Sequence, residues 1–322
     1  VNDKTGTATI TIRVAAGTNH TAPGSKTVAV SAEFLPAVGT ALNDCSWEDI
    51  SKIAAAGLAS QYWSVGATKT ITINGKVGTL SLSNLSVDVF ILGFDHNSSV
   101  EGSNRIHFQI GKISSKLIGL IDGGYNSYDT NGTKYFNMNH WGNYNYGGWA
   151  GCDLRYDVLG STDVAPSGYG SAVTTSRVGY NASATCATNP VANTLMAALP
   201  ADLRAVMKGV TKYADAVGNG SNVVANVKAF TDYLFLLAEF EVQGTRSYAN
   251  QYEQNYQKQY AYYSSGNSKV MYRHSATGST AWWWLRSANC NYFSIFCHVN
   301  TDGSADYDSA RYAAALAPGF VV

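Results

Sequence analysis

Charged residues and proline are scarce in this chain, and the two signs of charge cancel. Only 14% of the 322 residues are charged, with 22 lysines and arginines against 22 aspartates and glutamates, and there are six prolines. A chain without a basic excess has no general electrostatic attraction for nucleic acid or an anionic membrane. No apolar run approaches the roughly 20 residues that cross a bilayer. We therefore expect no nucleic-acid binding and no membrane insertion.

Cysteine is also sparse, and its five positions are scattered and odd in number, so they do not form a dense disulfide framework. Cys290 and Cys297 are close enough in the chain to pair across a hairpin, but they are equally compatible with small buried hydrophobic side chains. We favour the second interpretation. What the chain has in abundance is glycine (31) and tyrosine (21), which favours a folded globule rich in loops.

The first 34 residues are predicted to form a separate β segment. Thr7 to Val14 and Lys26 to Ala32 alternate apolar and polar residues, with a loop between them. Two strands alone are marginally stable, so residues 1–34 are interpreted as the end of an immunoglobulin-like module or as a linker. No signal segment begins the chain, and we expect it to be a fragment of a longer protein. Residues 35–322 would then form the main domain.

The main domain opens with a predicted helix and a predicted hairpin. Ser46 precedes an acidic first turn and so predicts a helix N-terminus there. Lys69 to Ile73 and Lys76 to Leu82 flank Asn74-Gly75, which predicts a hairpin with its turn at that pair. Val87 to Phe94 and Arg105 to Ile110 are predicted as further strands.

The middle of the chain has little periodicity. Long polar, aromatic and small-residue stretches run from Gly123 to Gly151 and from Ser161 to Asn193, and a loop of this length is usually functional or packed by its own side chains. Helices are predicted at Ala192 to Leu199 and after Pro200. Tyr233 to Val242 is a continuous apolar run that predicts a buried strand, and Asn250 to Tyr263 is predicted as a partly exposed helix. The order of elements predicts an α+β fold with antiparallel sheet and much irregular chain.

The last 42 residues combine apolar ends with a polar and aromatic middle. Trp282 to Leu285 and Leu316 to Val322 favour burial, whereas the residues between them are Tyr, Asn, Ser, Asp, His and Arg with a turn at Asp302-Gly303. This composition is typical of binding loops, in which rigid aromatic surface lies beside adaptable hydrogen-bonding groups. We predict short strands that hold these side chains outward on a rigid frame.

This segment resembles the variable proteins of diversity-generating retroelements, which have the C-type-lectin-like fold shared with formylglycine-generating enzymes. Its matching frame is Trp283, Trp284, Leu285, Arg286, Ser287, Phe296, Cys297, Val299, Gly303, Leu316, Pro318, Gly319 and Phe320. Further likeness at Trp47 to Ile50, Tyr62-Trp63, Gly147 to Trp149 and Leu236 to Gly244 extends the resemblance over about Leu35 to Val322. The family usually has Pro and Arg where this chain has Ala288 and Ala317.

The resemblance implies a variable region at about residues 286–314. In that family, asparagine codons are randomised at their first two bases, which yields many residue types but never Lys, Glu, Gln, Met or Trp. None of those five follows Arg286, although Ala150 to Leu195 also lacks them. By position in the frame, the variable, ligand-binding residues are Asn289, Asn291, Tyr292, Ser294, Ile295, His298, Asp306, Tyr307, Asp308, Arg311 and Tyr312.

The implied function is non-catalytic attachment to an unknown protein or glycan on a target cell, from a phage tail tip or a bacterial surface. No cofactor and no metal is expected. Two alternatives remain open. Carboxylates and amides at Asp95 to Asn97, Asp129 to Asn131 and Asp302 could bind calcium in a carbohydrate-binding lectin. Cys290 and Cys297 could hold cuprous ion in a formylglycine-generating oxidase.

A zinc site is a weaker alternative. It would use His96, His107 and His140, which lack the usual spacing of zinc ligands. Neither the composition nor the resemblance predicts the oligomeric state.

Overall fold

The computed structural model describes residues 5–12, 16–18, 24, 26–33, 35–140, 142–161 and 185–322, which divide into two compact units. The first unit, Val1–Thr40, contains strands β1 (Thr5–Ile12) and β2 (Lys26–Glu33), paired antiparallel. The prediction of two strands is therefore confirmed, although Val14, the expected end of the first, lies outside the described residues. The second unit, Ala41–Val322, contains every other element named below.

The second unit mixes short helices with sheets whose described strands pair antiparallel, apart from one parallel pair, which agrees with the expected α+β class. Its helices are α1 (Trp47–Ala55), α2 (Ala59–Tyr62), α3 (Ser98–Glu101), α4 (Gly148–Gly151), α5 (Leu195–Ala198), α6 (Ala201–Val206), α7 (Glu239–Gln243) and α8 (Ala261–Ser264). Single turns of 3-10 helix lie at Leu42–Asp44, Val224–Asn226 and Gln251–Asn255, and a π-helical turn at Leu154–Val158. None of the helices in the described parts of the chain has the length and apolarity to cross a bilayer.

In the described residues of this unit, twelve strands form three sheets. They are β3 (Thr68–Val77), β4 (Leu80–Phe94), β5 (Ile106–Ile113), β6 (Lys116–Gly119), β7 (Val210–Asp215), β8 (Val227–Asp232), β9 (Met271–Arg273), β10 (Ala276–Ala281), β11 (Trp283–Ala288), β12 (Ile295–Val299), β13 (Ala305–Ser309) and β14 (Gly319–Val321). The largest sheet has the order β10-β9-β6-β5-β4-β3, with β14 paired beside β5. The others are β7-β8 and β11-β12-β13.

Helix α1 begins where its sequence predicts. The Ser46 hydroxyl oxygen accepts a hydrogen bond from the Asp49 amide at 3.1 Å, which satisfies one of the free donors of the first turn. Ile50, Ile53 and Ala54 are buried on one face of the helix. The cap and the apolar stripe therefore fix the start and the orientation of this helix together.

The predicted hairpin is present, but the predicted turn at Asn74-Gly75 is wrong. Strand β3 continues to Val77, and Val77 pairs with Leu80, so the reversal is at Gly78-Thr79. The pairing shifts by one residue between Ile73 and Gly75, which makes Asn74 part of a bulge. Gly78 has a φ of +54°, and a Cβ there would lie 2.7 Å from the Lys134 carbonyl oxygen, so this turn requires glycine.

Two other predicted elements also differ in the structure. Tyr233 to Val242 is buried for the most part but is not a strand, because the chain is irregular to Ala238 and then forms α7. The Glu241 carboxylate accepts a hydrogen bond from the Ala238 amide at 2.9 Å, which favours the helix start. Asn250 to Tyr263 is not one helix but two short helical turns, Gln251–Asn255 and α8.

The apolar ends of the last segment are in the core. Trp283, Trp284 and Leu285 on β11 are fully buried, as is Phe320 on β14. Strand β14 pairs with the middle of β5, with Phe320 opposite Phe108. Arg286, Phe296 and Pro318 of the expected frame are also buried, and Gly303 lies in the turn before β13. The segment between the two ends therefore begins and finishes on packed strands.

Candidate functional site

The surface formed by residues 289–312 contains most of the predicted variable residues. Tyr292 is 50% exposed, and Phe293 beside it is 56% exposed. The other predicted residues with exposed or half-buried side chains are Asn291, Ser294, Ile295, Asp306, Tyr307, Asp308, Arg311 and Tyr312. We call this set, together with Tyr292 and Phe293, the variable surface.

The prediction that every variable residue faces outward is wrong for Asn289 and His298. Asn289 is 1% exposed, and its side-chain oxygen accepts a hydrogen bond from the Asn291 amide at 2.8 Å. His298 is buried against Trp282 and Trp284, with ring centroids 4.6 and 6.1 Å apart. Burial lowers the pKa of this imidazole. Both side chains therefore pack inside the fold and are not part of the exposed surface.

One face of β13 carries tyrosine. Tyr307 lies opposite Cys297 in the pairing of β12 with β13. Its ring centroid is 4.7 Å from that of Tyr248 and 5.9 Å from that of Tyr292. Tyr248 was missed by the sequence analysis, because it lies in the connection after α7 and only the fold brings it to this position. These three rings make a half-buried aromatic cluster on one side of the strand.

The opposite face of β13 carries carboxylates. Asp306 lies opposite His298 in the register, and successive residues of a strand point to opposite faces, so Asp306 and Asp308 project away from the Tyr307 side. Burial raises the pKa of Asp308. The variable surface therefore wraps around both faces of an edge strand, whereas we expected a single outward face.

A third group follows β13. The Tyr312 ring lies 5.3 Å from the ring of Tyr128, and the Arg311 guanidinium lies 5.8 Å from the same ring. Tyr128 belongs to the irregular stretch from Gly123 to Gly151, which the sequence marked as functional or self-packed. The stretch therefore contributes side chains to the rim of the variable surface.

The main chain of the variable surface is fastened by one buried side chain, Asn145. Its amide nitrogen donates to the carbonyl oxygens of residues 289, 292 and 295 at 3.3, 2.8 and 2.8 Å. Its own main-chain amide donates to the carbonyl of residue 293 at 2.6 Å, and its side-chain oxygen accepts from the Asn219 amide at 2.9 Å. All these contacts join Asn145 to main-chain atoms, so they do not depend on which side chains the surface carries.

Other contacts to the surface follow the same pattern. The Cys290 amide donates to the Tyr248 carbonyl at 3.0 Å, and the carbonyls of Ala310 and Arg311 accept from the amides of Asn139 and Asp129, each at 3.0 Å. The sequence did not single out Asn145, because it is one asparagine among many in a loop without periodicity. Its position among the carbonyls of another segment appears only in the fold.

Aromatic rings extend the surface beyond the predicted residues. Tyr144 and Tyr146 stack with centroids 5.5 Å apart, and Tyr146 stacks on Phe293 at 6.4 Å. Phe293 was interpreted as an isolated apolar position in the sequence, yet it is among the most exposed aromatic side chains described. Its exposure is the signal that adds it to the variable surface.

The same unit contains a buried ionic cluster of Lys212, Glu101, Glu241 and Arg286. The Lys212 ammonium lies 2.5 Å from Glu101 and 3.1 Å from Glu241, and the Arg286 guanidinium contacts both oxygens of Glu241 at 2.5 and 2.7 Å. Burial opposes ionisation of Glu241, but the charges of Arg286 and Lys212 hold its pKa well below the usual range. Burial raises the pKa of Glu101 to about 7.

His96 and His107 are adjacent to this cluster and were predicted only as weak zinc candidates. Their ring centroids are 5.5 Å apart, and burial lowers the pKa of His96 to about 3. The ligand atoms of His96, Glu101 and Glu241 lie within 4.8 Å of one another, the spacing of a metal site. The Lys212 ammonium and the Arg286 guanidinium together already neutralise both carboxylates, so the donor set does not fit an additional divalent ion. His140 belongs elsewhere, beside Asn137.

The carboxylates proposed for calcium form turns. Asp95 accepts a hydrogen bond from the Arg105 amide, Asp129 accepts from the amides of Asn131 and Thr133, and Asp302 accepts from the Ser304 amide. Acceptance of nearby main-chain amides is the ordinary role of aspartate in turns. None of the three belongs to a group of possible metal ligands in the described residues.

The two cysteines proposed for copper are buried and unpaired. Burial raises the pKa of Cys297 well above its ordinary value, which disfavours the thiolate that a cuprous ion needs. The Cys290 sulfur lies 2.9 Å from the Arg246 guanidinium. The interpretation of both residues as small buried side chains agrees with this environment.

Comparison with known proteins gives one match. The model of DUF6273, a domain of unknown function, matches residues 130–322, which include Asn145, the ionic residues Lys212, Glu241 and Arg286, and the variable surface. No curated protein and no solved structure matches the chain. Because the matched region is more than half of the sequence, the chain belongs to the DUF6273 family.

Proposed function

We propose that this protein is a non-catalytic binding protein whose variable surface is diversified by a retroelement. Its ligand would be a protein or glycan on a target cell, bound from a phage tail tip or a bacterial surface. In this proposal the second unit has the C-type-lectin-like fold, with which its short antiparallel strands, short helices and long irregular connections are compatible.

The observation that carries the proposal is the way Asn145 fastens the segment. A binding site that changes from one copy to the next must keep its shape while its side chains are replaced. Main-chain hydrogen bonds meet that requirement, because every residue except proline offers the same amide and carbonyl groups. The side-chain hydroxyls of Tyr292, Tyr307 and Tyr312 make no hydrogen bond to the parts of the chain that the structure describes, so their loss removes no buried partner.

The exposed aromatic residues supply the second support. Tyrosine offers a large contact area at low conformational cost, and binding hot spots are enriched in Tyr and Arg. Tyr292, Tyr307, Tyr312 and Arg311 are therefore expected to dominate the binding free energy. Phe293 joins them, because its codon is also reachable from a randomised asparagine codon.

The test is a pair of displayed libraries of the full chain. The first randomises Asn291, Tyr292, Ser294, Ile295, Tyr307, Arg311 and Tyr312 with codons of the NNC type. The matched control randomises seven buried positions: Trp283, Leu285, Phe296, Val299, Ala313, Leu316 and Phe320. We expect most members of the first library to resist protease and few members of the second. Selection on hen lysozyme should then recover binders from the first library.

Equal loss of protease resistance in the two libraries would contradict the proposal. So would failure of a stable first library to yield binders to any of several unrelated proteins. The neighbouring DNA gives an independent check: a near-copy of the coding sequence for the last segment, differing only at adenines, beside a reverse transcriptase gene.

A further inference from the structure

Strand β13 is an edge strand of the three-stranded sheet β11-β12-β13. It pairs with β12 on one side, and no strand among the described residues pairs with its other side. All five of its residues are partly exposed. An edge strand presents unpaired main-chain donors and acceptors, which allows another extended chain to add to the sheet.

The pairing pattern identifies the amides on this edge. The Ala310 amide donates to the Ser294 carbonyl at 2.9 Å, which continues the β12–β13 ladder beyond the strand. Main-chain amides alternate between the two edges of an antiparallel strand. The amides of residues 306, 308 and 310 therefore point toward β12. The amides of Tyr307 and Ser309 therefore point to the open side.

These two outward amides are covered by carboxylates of their own strand. The Tyr307 amide donates to Asp306 at 2.9 Å, and the Ser309 amide donates to Asp308 at 2.7 Å. Each contact joins adjacent residues, and Asp306 accepts a further hydrogen bond, from the Asn300 side chain at 3.2 Å. An incoming carbonyl oxygen can therefore replace either carboxylate at the amide without breaking the main-chain ladder between β12 and β13. A carboxylate released in this way would then need a cationic partner.

A second copy of the chain is a poor occupant for this edge. Antiparallel pairing of two β13 strands about Tyr307 would put Asp306 of one copy opposite Asp308 of the other, twice. Like charges directly opposite each other destabilise a strand pair. A segment with lysine or arginine on the same face would instead place opposite charges in those positions.

We propose that β13 is the docking edge for the target, and that the target is recognised as an extended polypeptide segment with basic side chains. This inference rests on the proposed function and names the partner class of the same surface. Target carbonyls accept from the amides of Tyr307 and Ser309, and target cations pair with Asp306 and Asp308. The face of β13 that carries Tyr307 contacts those side chains of the target segment that lie between its basic residues.

The probe is a five-residue peptide of alternating valine and lysine, blocked at both ends, titrated into the 15N-labelled full chain. The largest amide shifts are expected at Tyr307 and Ser309, with saturation in the millimolar range. A peptide with glutamate in place of lysine should leave these amides unshifted. A lysine peptide N-methylated at its pairing amides should also fail, because N-methylation blocks main-chain pairing while leaving the charge.

The double variant Asp306→Asn, Asp308→Asn keeps an oxygen acceptor at both positions but removes the charges. Its affinity for the lysine peptide should fall about fivefold, the loss expected for two exposed cross-strand ion pairs. The same spectra report whether the variant is folded.

Two outcomes would overturn the inference. Equal binding of the N-methylated peptide would show contact through side chains alone, which leaves the proposed function standing. Absence of shifts in β13 with the lysine peptide would remove the docking edge altogether, whereas the library experiment would still decide whether the surface is a binding site.

Discussion

The ionic cluster and the variable surface lie in the same unit but are held in opposite ways. Lys212, Glu241 and Arg286 are fixed by contacts between their charged side chains, so each residue's identity is required by the others. The variable surface is fixed by main-chain contacts to Asn145. Replacement of a side chain should therefore lower the free energy of unfolding strongly in the ionic cluster and only slightly in the variable surface. The four predictions below test that contrast in order of expected size.

Loss of a charge from the cluster should have the largest effect. Glu241→Gln removes the counter-charge of two buried cations, which should lower the free energy of unfolding by about 3–5 kcal/mol. Chemical denaturation measures the change. The matched control is Glu48→Gln, which breaks the exposed pair with Lys52 and should cost about 0.5 kcal/mol or less. Similar values for the two variants would refute the contrast.

Removal of the fastening side chain should come next. Asn145→Ala leaves buried carbonyls without their donor and should cost about 2–3 kcal/mol. Amide hydrogen exchange at residues 289–295 should accelerate more than exchange in β5. Asn143→Ala, in the same loop, is the control: it removes only an exposed side-chain contact with the Ser309 hydroxyl and should change stability by about 0.5 kcal/mol or less. Unchanged exchange in Asn145→Ala would show that the segment is fastened elsewhere.

The third prediction concerns pH and a buried carboxyl beside the cluster. Burial raises the pKa of Glu253 to about 7 from an ordinary 4.5, so the folded state holds a proton that the unfolded state releases. This contribution to stability is present below pH 4.5 and is lost as the pH rises to 7. The contribution of His96 to stability changes with pH in the opposite direction, because burial lowers the pKa of its imidazole to about 3.

The wild type should therefore be compared with Glu253→Gln at each pH, so that the His96 contribution cancels. The stability of the wild type relative to this variant should fall by about 1–3 kcal/mol between pH 4.5 and 7.5, measured by urea unfolding. A difference that is flat or rises with pH would show that Glu253 is ionised in the folded protein.

The smallest effect is expected at the surface. Simultaneous replacement of Tyr292, Tyr307 and Tyr312 by alanine should lower the free energy of unfolding by about 1.5 kcal/mol or less, because the rings are at least partly exposed. In a clone selected from the library on hen lysozyme, alanine at positions 292, 307 and 312 should abolish binding. The control, Trp284→Ala, should cost about 3–5 kcal/mol. A large loss of stability in the triple variant would place these tyrosines in the core.

Local signals predicted the local structure well. The Ser46 cap fixed the start of α1, and the strongly apolar run Val87 to Phe94 identified part of β4. Local sequence patterns gave wrong predictions where contacts between distant segments determined the structure. Asn74-Gly75 has strong turn chemistry, but Gly78 permits a closer approach to Lys134, and the longer strand pairing prevailed. The run from Tyr233 was apolar enough for a strand, yet the Glu241 carboxylate accepts from the Ala238 amide, which favours a helix start there.

The same division applies to the site. The exposed tyrosines were predicted from composition and from the resemblance. Asn145 and the ionic cluster could not be, since their partners come from segments far apart in the chain. The burial of His298 was not predicted because both faces of β12 are covered from Phe296 to Val299, and its register relative to Trp284 was not known from sequence. The face of each residue in β12 and β13 is set by pairing alone.

Strand β14 has a consequence for how the protein is made. It follows the variable surface in the chain, but its partner β5 is synthesised much earlier. The large sheet therefore stays incomplete until the ribosome has read through the whole of residues 289–312. A chain cut short there would leave Phe108 without Phe320 and expose apolar strands to proteases. Copies that end before β14 cannot complete this sheet, whatever side chains they carry.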